Sequence, residues 1–443
     1  MSGIVGINKP RQFDLVKRML NKISHRGKFG RKIFSTTNST FGIVTTEYQS
    51  KELDLCEKEK IVKDDLGDGH LAYAKENGNQ LEIFRDQLGV SPLYYGLKDD
   101  ALCFASEVKG LMEATKNIFE VPPGHKLVNG DLIRYYELVY DSFLTEEPQK
   151  IAKQLFDLLK NSVQKRINGN EMGCWLSGGL DSSVLSSLVR MYVDKVYTFS
   201  AGIKDAPDLQ YARVMAEYLN SEHHEVVVSI EDMIKVLPEI IYHLESFDAL
   251  LVRSSITNYL VAKEASNYVE QIFSGEGGDE LFAGYQYLKE LPISKLNDEL
   301  IDITNRLHNT ALQRVDRCAS AFGTVAHVAF LDPGVVNFVL KIPPEYKIYN
   351  GIEKWILRLA MKDHLPEKIF NRTKAKFWEG AGVAELLADY ADKKITDYDF
   401  NKERVLKNGW VLNSKEELMY YRIFREHFGE LENLDWMGRS KLN

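Results

Sequence analysis

Apolar residues in positions 1–140 come in short runs, Ile4–Ile7, Leu81–Phe84 and Ala101–Phe104 among them, punctuated by Gly, Asn and Pro. Such runs predict short strands joined by turns. Val121–Tyr140 reads as a pair of strands around Asn129-Gly130, a dipeptide that tolerates the left-handed backbone of a tight hairpin. The texture changes after Asp141. Between Glu147 and Arg166, Ile151, Leu155, Leu158, Leu159 and Val163 recur at helical spacing. Strand-like runs at Gly173–Leu176, Val196–Ala201, Glu225–Val228 and Val269–Phe273 then alternate with helical stretches, and beyond about residue 290 helices predominate. This alternation predicts an α/β unit, a parallel sheet with helices on both faces. The acidic stretch 141–150 is the expected boundary, giving units over 1–145 and 146–443.

Two strand-like runs lead into glycine-rich loops. The first reads Cys174-Trp-Leu-Ser-Gly-Gly-Leu-Asp-Ser-Ser183, with the helical stretch VLSSLVRMY behind it. Glycines admit a phosphate close to the backbone, and the following helix N-terminus offers free N–H groups and a favourable dipole. Asp181 makes sense beside a polyphosphate if it carries Mg²⁺. No Gly-Lys-Ser/Thr is present, so the loop is not of Walker A type. The bland alternative is a strand-to-helix turn with an Asp/Ser cap. The second loop, Ser274-Gly-Glu-Gly-Gly-Asp-Glu-Leu-Phe-Ala-Gly-Tyr285, carries three acids and would also suit a polar surface turn. Asp279 would join Asp181 on the metal, and Glu276 in the same loop would face substrate.

Composition narrows the field. The 443 residues exceed one ordinary core, and 44% hydrophobic with 27% charged residues is a soluble globular balance. A net charge of −8 leaves no electrostatic footprint for nucleic acid or an anionic membrane. Cys56, Cys103, Cys174 and Cys318 are scattered, which speaks against disulfides or a zinc site. The opening MSGIVGINKPRQ has too short an apolar run for a signal peptide, and no stretch reaches membrane-spanning length, so a cytoplasmic location is expected.

The two loops, in this order and spacing, resemble those of the asparagine synthetase family, which includes the β-lactam synthetases. The likeness extends to Arg85–Tyr95, Ala105–Lys109, Val121–His125, His243–Asp248, Val328–Asp332, Glu353–Arg358 and Asn371–Gly382. It implies a shortened N-terminal α+β sandwich of the N-terminal-nucleophile hydrolase type. A doubly wound parallel sheet of the ATP-pyrophosphatase type, with a helical extension, would follow. It implies that Leu176, Ser177, Gly178, Gly179, Asp181, Ser182 and Ser183, with Ser274 and Gly275, hold ATP, and that Asp181 and Asp279 hold Mg²⁺. Glu276 would face the reacting centre, beside Gly277 and Gly278 in the substrate site. Lys374 falls on the family lysine that stabilises charge during adenylate formation; without the resemblance it would read as a solvated surface lysine.

The departures are informative. Family glutaminases begin Met-Cys-Gly and use the cysteine as nucleophile, whereas this chain reads Met1-Ser2-Gly3. His25-Arg26-Gly27 survives, but the Asn-Gly-Glu segment that grips the glutamine amide is replaced by Lys63-Asp-Asp-Leu-Gly-Asp-Gly-His70. The first unit is therefore expected to be vestigial. Arg253 matches an acceptor-pocket arginine, yet Leu250 and Leu251 stand where asparagine synthetases have threonines. Two roles remain open for it: a partner for a substrate carboxylate, or a buried ion pair with Glu245 or Asp248. Cys318 stands near the position of the base used by β-lactam-forming relatives, which disfavours ring closure. The expectation is an AMP-forming ligase that joins aspartate or an analogue to ammonia or an amine. The alternatives are a specialised-metabolism ligase for another acid and organic amine, or a catalytically dead scaffold. Pairing as a homodimer or with a separate glutaminase is left open.

Overall fold

The computed structural model describes residues 1–140, 142–373 and 386–440. Lys374 and the rest of 374–385 lie outside that set.

Two antiparallel sheets form the N-terminal part. The first runs, edge to edge, through Gly30–Ser35, Thr40–Thr45, Gly3–Ile7, Ala101–Ala105, Tyr94–Lys98 and Ile118–Glu120. The second runs through Asp131–Arg134, His125–Val128, Gln80–Arg85, Leu71–Asn77 and Ile61–Asp65. Each sheet turns an apolar face to the other, and the first sheet is buried on its outer face too, where Val5, Ile7, Val44 and Cys103 join a second core. Ile4, Phe41, Ile43 and Phe104 meet Val62, Ala72, Ala74, Ile83 and Leu127 in a shared core. The hairpin forms at the expected turn: Val128 pairs with Asp131, and Asn129 and Gly130 take positive φ of 55° and 97°. Its strands, His125–Val128 and Asp131–Arg134, are shorter than the 121–140 span, and Ile118–Glu120 just before them pairs with Tyr94–Lys98 of the other sheet. Two helices, Phe13–Lys22 and Lys51–Glu59, correct the strand-and-turn expectation for this part. The first buries a narrow stripe of Leu15, Val16, Met19 and Leu20 in an otherwise polar segment.

Beyond residue 147 the helix Pro148–Arg166 precedes a five-stranded, fully parallel sheet. Its strands in chain order are Glu171–Trp175, Lys195–Gly202, Glu222–Val227, Gln271–Phe273 and Val325–His327. Across the sheet the order is third, second, first, fourth, fifth. Winding thus reverses between Glu171–Trp175 and Gln271–Phe273, the place where such sheets open a crevice at the carboxyl ends of their strands. Both glycine loops leave from those two ends. The last strand, Val325–His327, lies in the region expected to be mainly helical.

Polar contacts tie the two sheet systems together. Backbone N–H groups of Glu47 and Tyr48 each donate to Glu270 at 2.8 Å, just before the fourth parallel strand. Arg26, wholly buried, reaches Asp316 through two 2.9 Å hydrogen bonds. His70 Nε2 lies 2.9 Å from the carbonyl oxygen of Leu331. Burial, reinforced by Arg166, pushes the His70 imidazole down to about 3. It therefore stays neutral in the fold, while in the unfolded chain it takes up a proton below its ordinary value near 6.5. Stability is full above that value and falls as pH drops toward 3, by about 1.4 kcal/mol per pH unit. Chemical denaturation of wild type and His70→Gln at pH 7 and pH 5 checks this. The wild type should lose about 2 kcal/mol more than the glutamine variant, which keeps an N–H donor but does not titrate; equal losses would remove His70 from the account.

Candidate active site

The first loop folds on itself. Ser182 Oγ lies 3.1 Å from Ser177 Oγ, accepts from the Ser177 N–H at 3.3 Å and donates to the Gly179 carbonyl at 3.2 Å. Gly179 is the N-cap of the helix Leu180–Arg190 and no side chain caps it, so the first-turn N–H groups point out of the helix end toward the cleft. Gly178 has φ of +69°, and a Cβ there would lie 2.4 Å from the backbone nitrogen of Ala212. That position admits glycine alone.

The second loop presses directly on the first. A Cβ on Gly275 would meet the Ser182 nitrogen at 2.8 Å, and one on Gly278 would meet Asp181 Oδ1 at 2.5 Å. These glycines let two loops from neighbouring strands touch, and the contact brings Asp181 and Asp279 together. Their carboxylates share one ammonium: Lys354 Nζ contacts Asp181 Oδ2 and lies 2.5 Å from Asp279 Oδ1. Lys354 is buried and holds a left-handed backbone, φ 55°, at the start of the helix Trp355–Met361. Its side chain passes over Gly284, where a Cβ would lie 2.2 Å from Lys354 Cε.

The cleft above is lined by Ser177, Gly179, Asp181, Ser182, Asp208 and Lys354, together with Glu353, Arg358, Arg372 and Thr373. Arg372 contacts Asp208, donates to the Ser177 carbonyl at 3.2 Å, and stacks 4.1 Å from the ring centre of Tyr211. Leu176, Ser183 and Ser274 are buried behind the loops. Leu176 and Ser274 use their N–H groups on neighbouring strands, at 2.8 Å to Phe199 and 2.9 Å to His327. Gly277 packs against the Leu331 side chain.

Glu276 pairs with Arg314 from the helix Ala311–Ser320. Glu280, next to Asp279, is buried and accepts from the Tyr285 hydroxyl. Burial, together with the charges of Asp279 and Glu276, pushes its carboxyl up to about 7. Arg253 forms an ion pair, but its partner is Glu416 of the helix Lys415–Phe428 rather than Glu245 or Asp248. Asp248 instead caps its own helix and accepts from Ser440, while Glu245 takes Lys109 and Arg317.

Sequence reasoning assigned no role to Lys354, Arg314 or Arg372. Lys354 was within reach of it, because Glu353–Arg358 already stood out as a shared segment. The donor set suits Mg²⁺: two carboxylates from separate loops converge on one cation, and Mg²⁺ commonly takes one or two carboxylates plus phosphate oxygens. Among the described residues no group of three or more His, Cys, Asp or Glu side chains converges as a metal cage.

The asparagine synthase family model matches residues 154–302 and 294–441, and a glutamine amidotransferase domain model matches 59–136. Asparagine synthetase [glutamine-hydrolyzing] 3 of Arabidopsis thaliana is 33% identical over 393 residues, 82% of this chain and 68% of that protein. Asparagine synthetase [glutamine-hydrolyzing] 2 of Oryza sativa subsp. japonica is also 33% identical, over 82% of this chain and 66% of its own length. Asparagine synthetase B [glutamine-hydrolyzing] of Escherichia coli (strain K12) is 30% identical over 432 residues, 91% of this chain and 76% of that protein. The chain thus spans about two thirds of the length of its plant relatives. Likeness of this extent, running through both glycine loops, means that the chain belongs to the asparagine synthase family of carbon–nitrogen ligases.

Proposed function

We propose that the chain is an AMP-forming amide ligase that adenylates a small amino-acid carboxylate, aspartate or an analogue, and passes it to ammonia or an amine. One observation carries this reading: the two glycine loops bring Asp181 and Asp279 to a single cation at the mouth of a helix N-terminus. ATP would lie along Ser177–Ser183 with its phosphates toward the N–H groups of the Leu180–Arg190 helix. Mg²⁺ would be held by Asp181 and Asp279, and bound there it would neutralise phosphate charge. The substrate carboxylate oxygen attacks the α-phosphorus and pyrophosphate leaves. The amine nitrogen then attacks the acyl carbon, loses a proton, and AMP leaves. Lys354, already between the two aspartates, is a second cation for the departing pyrophosphate, and Lys374 is assigned to the charge that develops at the reacting centre. Glu276, held by Arg314, would face the amine.

The division into units at 1–145 and 146–443 belongs to the same proposal, with the first unit structural. Ser2 supports that role: it is wholly buried, its N–H donates to Asp64 Oδ1 at 3.0 Å and its carbonyl accepts from Arg26 Nε at 2.7 Å. Its buried hydroxyl has no nucleophilic role in this proposal. The relatives are glutamine-hydrolysing by name; here free ammonia or an amine is the proposed donor.

Three measurements test this. With ATP, Mg²⁺ and a panel of acids and amines, the products should be AMP and pyrophosphate, and Asp181→Asn should abolish most turnover; ADP and phosphate would sink the adenylate step. Glutamine alone should yield no glutamate above a Ser2→Ala control, and ammonium should support turnover. A Ser2-dependent glutamate release would restore the glutaminase. Lys374→Ala should lower kcat by about a hundredfold with a much smaller change in KM for ATP. Lys374→Arg should recover little of it, because a planar fork does not replace a compact charge. Full activity in Lys374→Ala would end the lysine's assignment.

A further inference from the structure

The helix Ala311–Ser320 carries charge on both sides. Arg314 and Asp316 are two residues apart, about 200° around the helix axis, so they leave from opposite faces. Arg314 reaches Glu276 in the second glycine loop. Asp316 receives the Arg26 guanidinium in a two-pronged contact, 2.9 Å to each oxygen. Arg26 also donates to Glu107 at 2.8 Å and to Asp64 at 3.2 Å. Arg317, next along the helix, donates to Asp316 at 2.8 Å and to Glu245 at 3.1 Å. Burial opposes these charges, yet Arg26 and Arg317 hold the Asp316 carboxyl below its usual range. The helix is further pinned by Gln313, which donates to the Leu244 carbonyl at 2.7 Å. Two other contacts from the N-terminal part land beside the same loop. Glu47 and Tyr48 hold Glu270 at the base of its strand, and His70 holds Leu331, the side chain against Gly277.

From this geometry we infer that Arg26 is a positioning residue for the ligase centre: it fixes the Ala311–Ser320 helix, whose other face sets Glu276 through Arg314. The N-terminal part thereby takes part in synthesis by fixing geometry, with no chemistry of its own. The inference rests on the ligase reading for its kinetic arm, and on the structure alone for its exchange arm.

Arg26→Lys keeps a charge among the acids but cannot make the two-pronged contact. In the full chain it should lower kcat for pyrophosphate release by about tenfold or more, with KM for ATP nearly unchanged. In an Arg314→Gln background the same change should lower kcat by less than about twofold, because its path to Glu276 is already cut. Additive losses would mean that Arg26 does not act through Arg314 and would overturn the inference. Amide hydrogen exchange provides the arm independent of activity. Residues 274–281 should exchange about tenfold faster in Arg26→Lys, while Ser177–Ser183 keep their protection. A fall in thermal stability with unchanged kcat and unchanged exchange at 274–281 would reduce Arg26 to a structural ion pair. Should Arg26→Lys fail to fold, Arg26→Met with Asp316→Leu removes both members of this pair and leaves Glu107 with Lys109 and Arg317 with Glu245, and the same two readouts apply. If the wild type releases no pyrophosphate with any acid, the ligase reading fails; the exchange arm still decides whether Arg26 holds the loop.

Discussion

Two carboxylates brought to one point from neighbouring strands repel, by about 4 kcal/mol at a separation of about 4 Å and an effective dielectric of 20. Much of the C-terminal architecture answers to that constraint. The strand order puts the ends of Glu171–Trp175 and Gln271–Phe273 side by side. Gly275 and Gly278 remove the Cβ atoms that would keep the loops apart. The ammonium of Lys354 then stands between Asp181 and Asp279. Its left-handed backbone costs on the order of 1 kcal/mol or more, which persists because the surrounding contacts fix it. Gly284 clears the path for the lysine stem. The strand order sets up the like-charge crowding, the glycines permit it and a strained lysine relieves it.

The same logic recurs at the junction of the two sheet systems, at larger scale. Arg26, Lys109 and Arg317 are packed with Asp64, Glu107, Glu245 and Asp316, all buried. The C-terminal side sets two carboxylates, Glu245 and Asp316, against the single cation Arg317, and Lys109 and Arg26 reach across to them. Ion pairs of this kind add little net stability, since desolvation offsets most of the attraction, but removing one partner is costly. They specify an arrangement more than they strengthen it.

What the sequence made legible was local. A strand running into Ser-Gly-Gly with Asp and Ser behind it announces a tight strand-to-helix turn, because strand, turn and helix start are all written within ten residues. Asn129-Gly130 set its hairpin for the same reason. The partners that arrive from far along the chain were not legible. Lys354 comes from 173 residues beyond Asp181, Arg314 from 38 beyond Glu276, and Glu416 from 163 beyond Arg253. Nothing near Arg253 distinguishes Glu416 from the nearer acids Glu245 and Asp248, which were weighed and turned out to be occupied elsewhere. The Phe13–Lys22 helix escaped because its apolar stripe is too narrow to stand out among charged neighbours. The resemblance extended the reach of the sequence to Lys374, which lies outside the described residues.

The buried charges at the junction also bear on how such a chain changes over generations. Deleting the N-terminal part would strip Asp316 and Arg317 of Arg26 and Glu107 and expose a surface shaped to be covered. A domain joined in this way is hard to discard whatever becomes of its original chemistry, since each shortening step passes through a chain with an uncompensated interior charge. Its persistence is therefore weak testimony to any activity of its own. Structural indispensability alone is enough to keep it under selection, and substitutions there are free to drift wherever they preserve the charge pattern at the seam.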